Sequence, residues 1–197
     1  YECDEDLCDI KDYDIMKNKM TYRWFEGNAL YPFGHGLSYS SFTYSNVKCN
    51  VKDEEILVSL DVKNDGNYSG DEVVQVYYRP ASQRIRRPLK QLCGFSRVNI
   101  SVGETVCVEI SVPFRELEFY DVSRQSFCLE SGEYEIMVGA SSADIRGTSV
   151  VTINGEEIPP RDFPSNLFTT WAVSSAGLQG VMLRAYPPPL IFLKSRS

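Results

Sequence analysis

In the middle of this chain apolar residues recur at every second position, in short runs, and that period fits strands rather than helices. Ile56, Val58, Leu60 and Val62 alternate with Leu57, Ser59, Asp61 and Lys63, the pattern of a strand buried on one face. Val74, Val76 and Tyr78 repeat it within Glu72–Arg79, as do Val106, Val108, Ile110 and Val112 up to Pro113, and Tyr134, Ile136 and Val138. Further strands are expected from Lys90 through Gly94 and Phe95 to Ile100, at Leu117 and Phe119, at Phe127 and Leu129, and over Ser149–Ile153. Asn64-Asp-Gly-Asn67, Val102-Gly-Glu104, Ser131-Gly-Glu133 and Asn154-Gly155 supply turn chemistry between the runs. Roughly seven or eight short strands with turns about every 8–12 residues predict an all-β protein, an antiparallel sandwich.

The pattern divides the chain into three zones. Residues 1–20 are acidic and thinly apolar, with Asp4-Glu5-Asp6 followed by Asp9, Asp12 and Asp14. They read as a solvated connector, since the Asp-x-Asp-x-Asp-Gly spacing of a calcium loop is missing. Residues 21–158 form the predicted domain, and 159–197 an irregular tail. In that tail Leu167–Val173 is one more strand candidate, while Ser174-Ser-Ala-Gly177 and Pro187-Pro-Pro189 interrupt the rest. A total of 197 residues suits one domain with extensions, and a start at Tyr1 rather than Met reads as a piece of something longer. The net charge of −7 argues against a nucleic-acid partner. No signal peptide is visible, and no apolar run approaches the roughly 20 residues that span a bilayer.

Cys3, Cys8, Cys49, Cys93, Cys107 and Cys128 contain no C-x-x-C pair, and His35, the single histidine, cannot complete a Cys/His zinc set. No metal or cofactor is expected. Cys107 falls in the polar phase of its strand, and Cys49 and Cys93 are read at strand edges. These are the marks of reduced, structural thiols in a cytoplasmic compartment. Secretion stays open, and there the sequons Asn67-Tyr-Ser69 and Asn99-Ile-Ser101 would count.

Ahead of the strands stands Tyr31-Pro-Phe-Gly-His-Gly-Leu-Ser-Tyr39. Pro32 fixes its φ and lacks an amide donor, while Gly34 and Gly36 permit bends closed to other residues. The segment reads as a shaped lead-in, with Tyr31, Phe33 and Tyr39 anchoring it against the sandwich or a neighbouring domain. His35 between two glycines looks like a catalytic base. No serine or cysteine nucleophile motif surrounds it, however, and a packing or hydrogen-bonding role is the expectation.

This motif, with Thr21-Tyr-Arg-Trp-Phe-Glu-Gly27 before it, resembles the segment that introduces the C-terminal fibronectin type III-like domain of glycoside hydrolase family 3 enzymes. Pro88-Leu-Lys-Gln-Leu-Cys-Gly-Phe95, Val102-Gly-Glu104, Gly132-Glu-Tyr134 and Val138-Gly-Ala-Ser-Ser142 continue the likeness in order, so that it covers roughly Thr21 to Ile158. The resemblance implies an immunoglobulin/fibronectin III-like sandwich with no catalytic residue of its own. In that family an aspartate nucleophile sits in an N-terminal (β/α)8 barrel, and a barrel needs about 250 residues. The implied role is therefore accessory: to buttress catalytic domains, missing here, that hydrolyse terminal non-reducing β-D-glucosyl or β-D-xylosyl residues without a cofactor. The chain is expected to be inactive alone.

Two surface features remain. Arg79, Arg84, Arg86, Arg87 and Lys90 crowd the proline-bounded loop of an acidic protein. A solvated loop is the plain reading. Docking of Arg84, Arg86, Arg87 and Lys90 onto an acidic neighbouring domain is the sharper one. The rival to the accessory role is a free-standing immunoglobulin-like module that binds glycan or protein. It would need an exposed aromatic platform, for which Tyr77, Tyr78 and Trp24 are candidates, with alternation burying only one of the two tyrosines.

Overall fold

The computed structural model describes residues 11–12, 14–81, 86–122 and 124–157; the predicted tail, most of the acidic connector and Arg84 lie outside them. Among the described residues nine strands follow in chain order: β1 (Phe42–Lys52), β2 (Glu55–Asn64), β3 (Gly70–Pro80), β4 (Gln91–Ile100), β5 (Thr105–Pro113), β6 (Phe119–Asp121), β7 (Ser126–Cys128), β8 (Gly132–Gly139) and β9 (Ile145–Ile153). A 3-10 turn, Phe114–Glu116, follows β5. A three-stranded sheet in the order β1-β2-β5 faces a four-stranded sheet in the order β4-β3-β8-β9, and β6 and β7 form a small separate hairpin. Every ladder is antiparallel. This is the expected sandwich; β1 is an addition to the strand list, and the short runs expected at Leu117–Phe119 and Phe127–Leu129 pair as the β6–β7 hairpin.

The alternation sets the core. Ile56, Val58, Leu60 and Val62 of β2 and Val108, Ile110 and Val112 of β5 point inward from one sheet. Val74, Val76, Tyr78, Tyr134, Ile136, Val138, Val151 and Ile153 point inward from the other. All are buried, and each such side chain contributes about 1.5–3 kcal/mol through removal from water. Gly94 lies on the inner face of β4, where an added Cβ would meet Ile110 Cγ2 at 3.0 Å and Val112 Cγ2 at 3.2 Å. A glycine in a strand interior here marks a close approach between sheets.

The structure corrects several sequence expectations. Cys49 sits inside β1, not at its boundary. In the β6–β7 hairpin Cys128 is buried and Phe127 is largely exposed, because so short a hairpin turns one face inward and its register selects the cysteine. Arg87 is not a surface cation. It is buried, with its guanidinium 4.3 Å from the Phe119 ring centroid and Nη2 donating to the Leu117 carbonyl at 3.1 Å. It therefore ties the loop before β4 to the segment after β5, and it leaves the set of docking candidates. The four cysteines among the described residues are free thiols. Burial pushes Cys49 up and Cys93 up to about 12, which makes both poor nucleophiles.

Candidate functional site

The candidate functional feature of the described chain is the lead-in segment laid across the outer face of the four-stranded sheet. Tyr22 stacks on Phe33 with centroids 4.1 Å apart and planes 12° from parallel, and meets Tyr77 edge-on at 6.2 Å. Backbone bonds fasten the segment: Leu89 N–H donates to Arg23 O at 2.7 Å and Ser142 N–H to Phe33 O at 2.9 Å. Leu92 N–H donates to the Tyr22 hydroxyl at 3.3 Å. This covering explains why Tyr77 and Tyr78 are both buried, at 0% and 3% exposure, against the expectation that alternation buries one. Tyr78 faces the core, and Tyr77 is covered from outside by the lead-in. The signal was present in Val73-Val-Gln-Val-Tyr-Tyr78, a run apolar in both phases, which marks a strand covered on both faces.

Gln75 is the fastener at the centre. Its Nε2 donates to Gly34 O at 3.0 Å and to Ala140 O at 2.6 Å, and its Oε1 accepts the Tyr77 hydroxyl at 2.6 Å. One amide thus joins the lead-in, β3 and the β8–β9 turn. His35 N–H donates to Pro32 O at 3.0 Å, closing a tight turn with Gly34 third in it at φ +79°, as a type II turn requires. A Cβ on Gly34 would also fall 2.0 Å from Gln75 Oε1. Gly36 has no atom within 4 Å of a Cβ position and no positive φ, so only the first of the two glycines is needed for the bend.

The remaining motif residues face solvent. Tyr31 is 75% exposed, Leu37 93% and Tyr39 96%; His35 is exposed as well, its ring 5.8 Å from that of Tyr31. Of the basic set, Arg79 pairs with Glu135, and Arg86 lies 5.2 Å from the Trp24 ring centroid. Lys90 donates to the Ser142 carbonyl. Trp24 is therefore partly covered by a guanidinium rather than presented as an open ring.

Two clefts flank the lead-in. The larger, about 700 Å³, is lined by Phe33, Leu37, Phe95, Glu72, Asp144 and Arg146 among others. The smaller, about 610 Å³, lies between the lead-in and the β8–β9 turn, beside Lys90. In the larger, Arg146 binds Asp144 Oδ2 through Nε at 3.1 Å and Nη2 at 2.8 Å, and reaches Glu72 Oε1 at 3.3 Å. Glu72 also accepts the Tyr44 hydroxyl at 2.8 Å. The third acid, Asp71, is held by Arg97 and Asn99, which lower its carboxyl below the usual range, the hydrogen bond from Asn99 most of all. These acids are structural partners of cations. Among the described residues no three His, Cys, Asp or Glu side chains converge on a metal position.

Burial raises the Glu72 carboxyl above its ordinary value of 4.5, against the opposing pull of Tyr44 and Arg146. A folded-state pKa above the unfolded one means that the folded protein binds the extra proton in between, so stability falls as pH rises through that window. Replacing Glu72 by Gln should remove this fall. Urea midpoints of the two proteins from pH 4 to 7 should converge at the acid end and diverge in favour of the variant above it; parallel profiles would contradict the assignment.

Residues 72–142 match the family of fibronectin type III-like domains. The chain is 39% identical over 140 residues to the thermostable β-glucosidase B of Acetivibrio thermocellus, covering 68% of this chain and 18% of that protein. It is 38% identical over 146 residues to a xylan 1,4-β-xylosidase of Xylanibacter ruminicola, covering 73% and 16%. Among solved structures, a GH3 β-glucosidase of Bifidobacterium adolescentis superposes with a TM-score of 0.66 at 30% identity, covering 72% of this chain and 22% of that one. The chain spans less than a fifth of the length of the two curated relatives. The chain belongs to the fibronectin type III-like domains found in glycoside hydrolase family 3 enzymes.

Proposed function

We propose that this chain supplies the non-catalytic accessory domain of a family 3 glycosidase, buttressing a catalytic part that removes terminal β-linked glucose or xylose. The observation that carries this reading is one of proportion: the relatives named for those activities are matched over 16–18% of their length, and the match is to this sandwich. The carboxylates support it. Retaining glycoside hydrolysis uses two carboxyl groups about 5–5.5 Å apart, one kept as acid and one free as nucleophile. Here Glu72 and Asp144 share one guanidinium instead. In this reading the exposed Tyr31 and Tyr39, with Arg86 and Lys90, meet the catalytic part. Against the glycan-binding alternative, the aromatics named for its platform are not open: Tyr77 and Tyr78 are buried and Trp24 sits against Arg86.

The purified chain should hydrolyse p-nitrophenyl β-glucoside and β-xyloside no faster than buffer, while a full-length relative assayed beside it turns both or one of them over. Turnover by the chain that survives further purification would sink the accessory reading.

A further inference from the structure

We propose that the cleft beside Lys90 is a socket for a carboxylate side chain presented by a protein partner, the catalytic part of a family 3 glycosidase. This rests on the accessory reading above and names the chemistry of the contact. The cleft holds about 610 Å³ and is walled by Tyr22, Phe25, Tyr31 and Phe33. Lys90 is the one charged side chain among its described lining residues, and no acid is among them. In a protein of net charge −7, such a cleft is complementary to an anion.

Lys90 also has capacity to spare. Its ammonium donates to the Ser142 carbonyl, and among the described residues it makes no ion pair, so two of its three N–H donors remain for a ligand. Burial and the neighbouring Arg79 both push its pKa down; an incoming carboxylate would offset both effects. Arg79 itself is committed to Glu135. The rim is apolar and open, with Leu30 and Tyr31 exposed beside the cleft and Leu37 and Tyr39 farther along the same segment. A macromolecular surface can cover that strip, and doing so would exclude water around the ion pair, the arrangement in which a charge pair matters most. A small anion would leave the strip wet.

The test places the full 197-residue chain in the position of the matched segment of the Acetivibrio thermocellus β-glucosidase. It compares Lys90 with Lys90→Met, Lys90→Arg and Lys90→Glu, each also made in the isolated chain. Loss of a desolvated charge partner predicts a melting temperature about 5 °C or more lower for Lys90→Glu in the chimera than its effect in the isolated chain accounts for. Lys90→Met should fall in the chimera, yet stay within about 2 °C of wild type in the isolated chain, a shift on the scale of 1 kcal/mol or less. Lys90→Arg should hold the chimera near wild type. Equal shifts in both settings, or none in the chimera, overturn the socket and leave the accessory role standing. A Lys90 chimera that neither folds nor hydrolyses glycosides overturns both.

Discussion

Replacing Asn64 by alanine should destabilise the protein by about 3–5 kcal/mol, one of the two largest single-site effects expected outside the apolar core. Asn64 is completely buried, and its amide is fully used. Nδ2 donates to Tyr68 O at 2.8 Å and Ile100 O at 3.0 Å. Oδ1 accepts the Ser40 hydroxyl at 2.6 Å and the Gly66 N–H at 3.0 Å. The main chain adds two bonds to the β4–β5 turn, Asn64 N–H to Glu104 O and Gly103 N–H to Asn64 O, each at 3.0 Å. One side chain thus knots the end of the lead-in, the β2–β3 turn and the end of β4. Alanine would strand the buried Ile100 carbonyl and open a cavity, and a buried polar group without a partner costs about 1–3 kcal/mol by itself. Urea unfolding of the two proteins measures the difference. A change below 1 kcal/mol would mean that water replaces the amide and that the knot is not structural.

Gly34→Ala should cost about 3 kcal/mol and loosen the lead-in before the sandwich. A non-glycine residue in the left-handed region is penalised by about 1–2 kcal/mol, and the φ of +79° is squarely there. The new methyl would also displace Gln75 Oε1, 2.0 Å from its position. The far end of a glutamine can ordinarily swing away. Here it is held by Gly34, Ala140 and Tyr77, and each net hydrogen bond lost adds about 1 kcal/mol. Gly36→Ala is the internal control and should lie within about 0.5 kcal/mol of wild type, since its Cβ position is empty. Thermal unfolding ranks the two, and limited proteolysis within residues 21–36 reports detachment. Equal behaviour of the two variants would show that the Pro32–His35 turn is not a constraint.

The two outcomes illustrate what could be read in advance. The core faces of β2, β3, β5 and β8 were legible because a period of two leaves each strand one apolar side, and the buried residues are those in phase. The turn at Gly103, with φ +75°, was legible from Val102-Gly-Glu104. The candidate site was legible only in part. The motif at 31–39 announced a shaped segment, but not that Phe33 would stack on Tyr22 while Leu37 and Tyr39 stood in solvent. Arg87 and Lys90 look alike in the sequence, three residues apart. One enters the interior over Phe119 and the other lines a cleft, and that choice depends on a loop packing against elements roughly thirty and fifty residues away.

The amino-acid sequence by itself determined most of the strands, the inward faces of β2, β3, β5 and β8 and the sites of tight turns such as that at Gly103, because alternation and glycine or proline geometry act over a few neighbouring residues. Tertiary structure alone decided which polar side chains became fasteners and which aromatics were left uncovered. Asn64, Gln75 and Arg87 are satisfied by carbonyls brought from distant segments, and Tyr77 is buried only because the lead-in lies over it. The cost of an unpaired buried dipole is fixed by what surrounds it, and no local pattern encodes those surroundings.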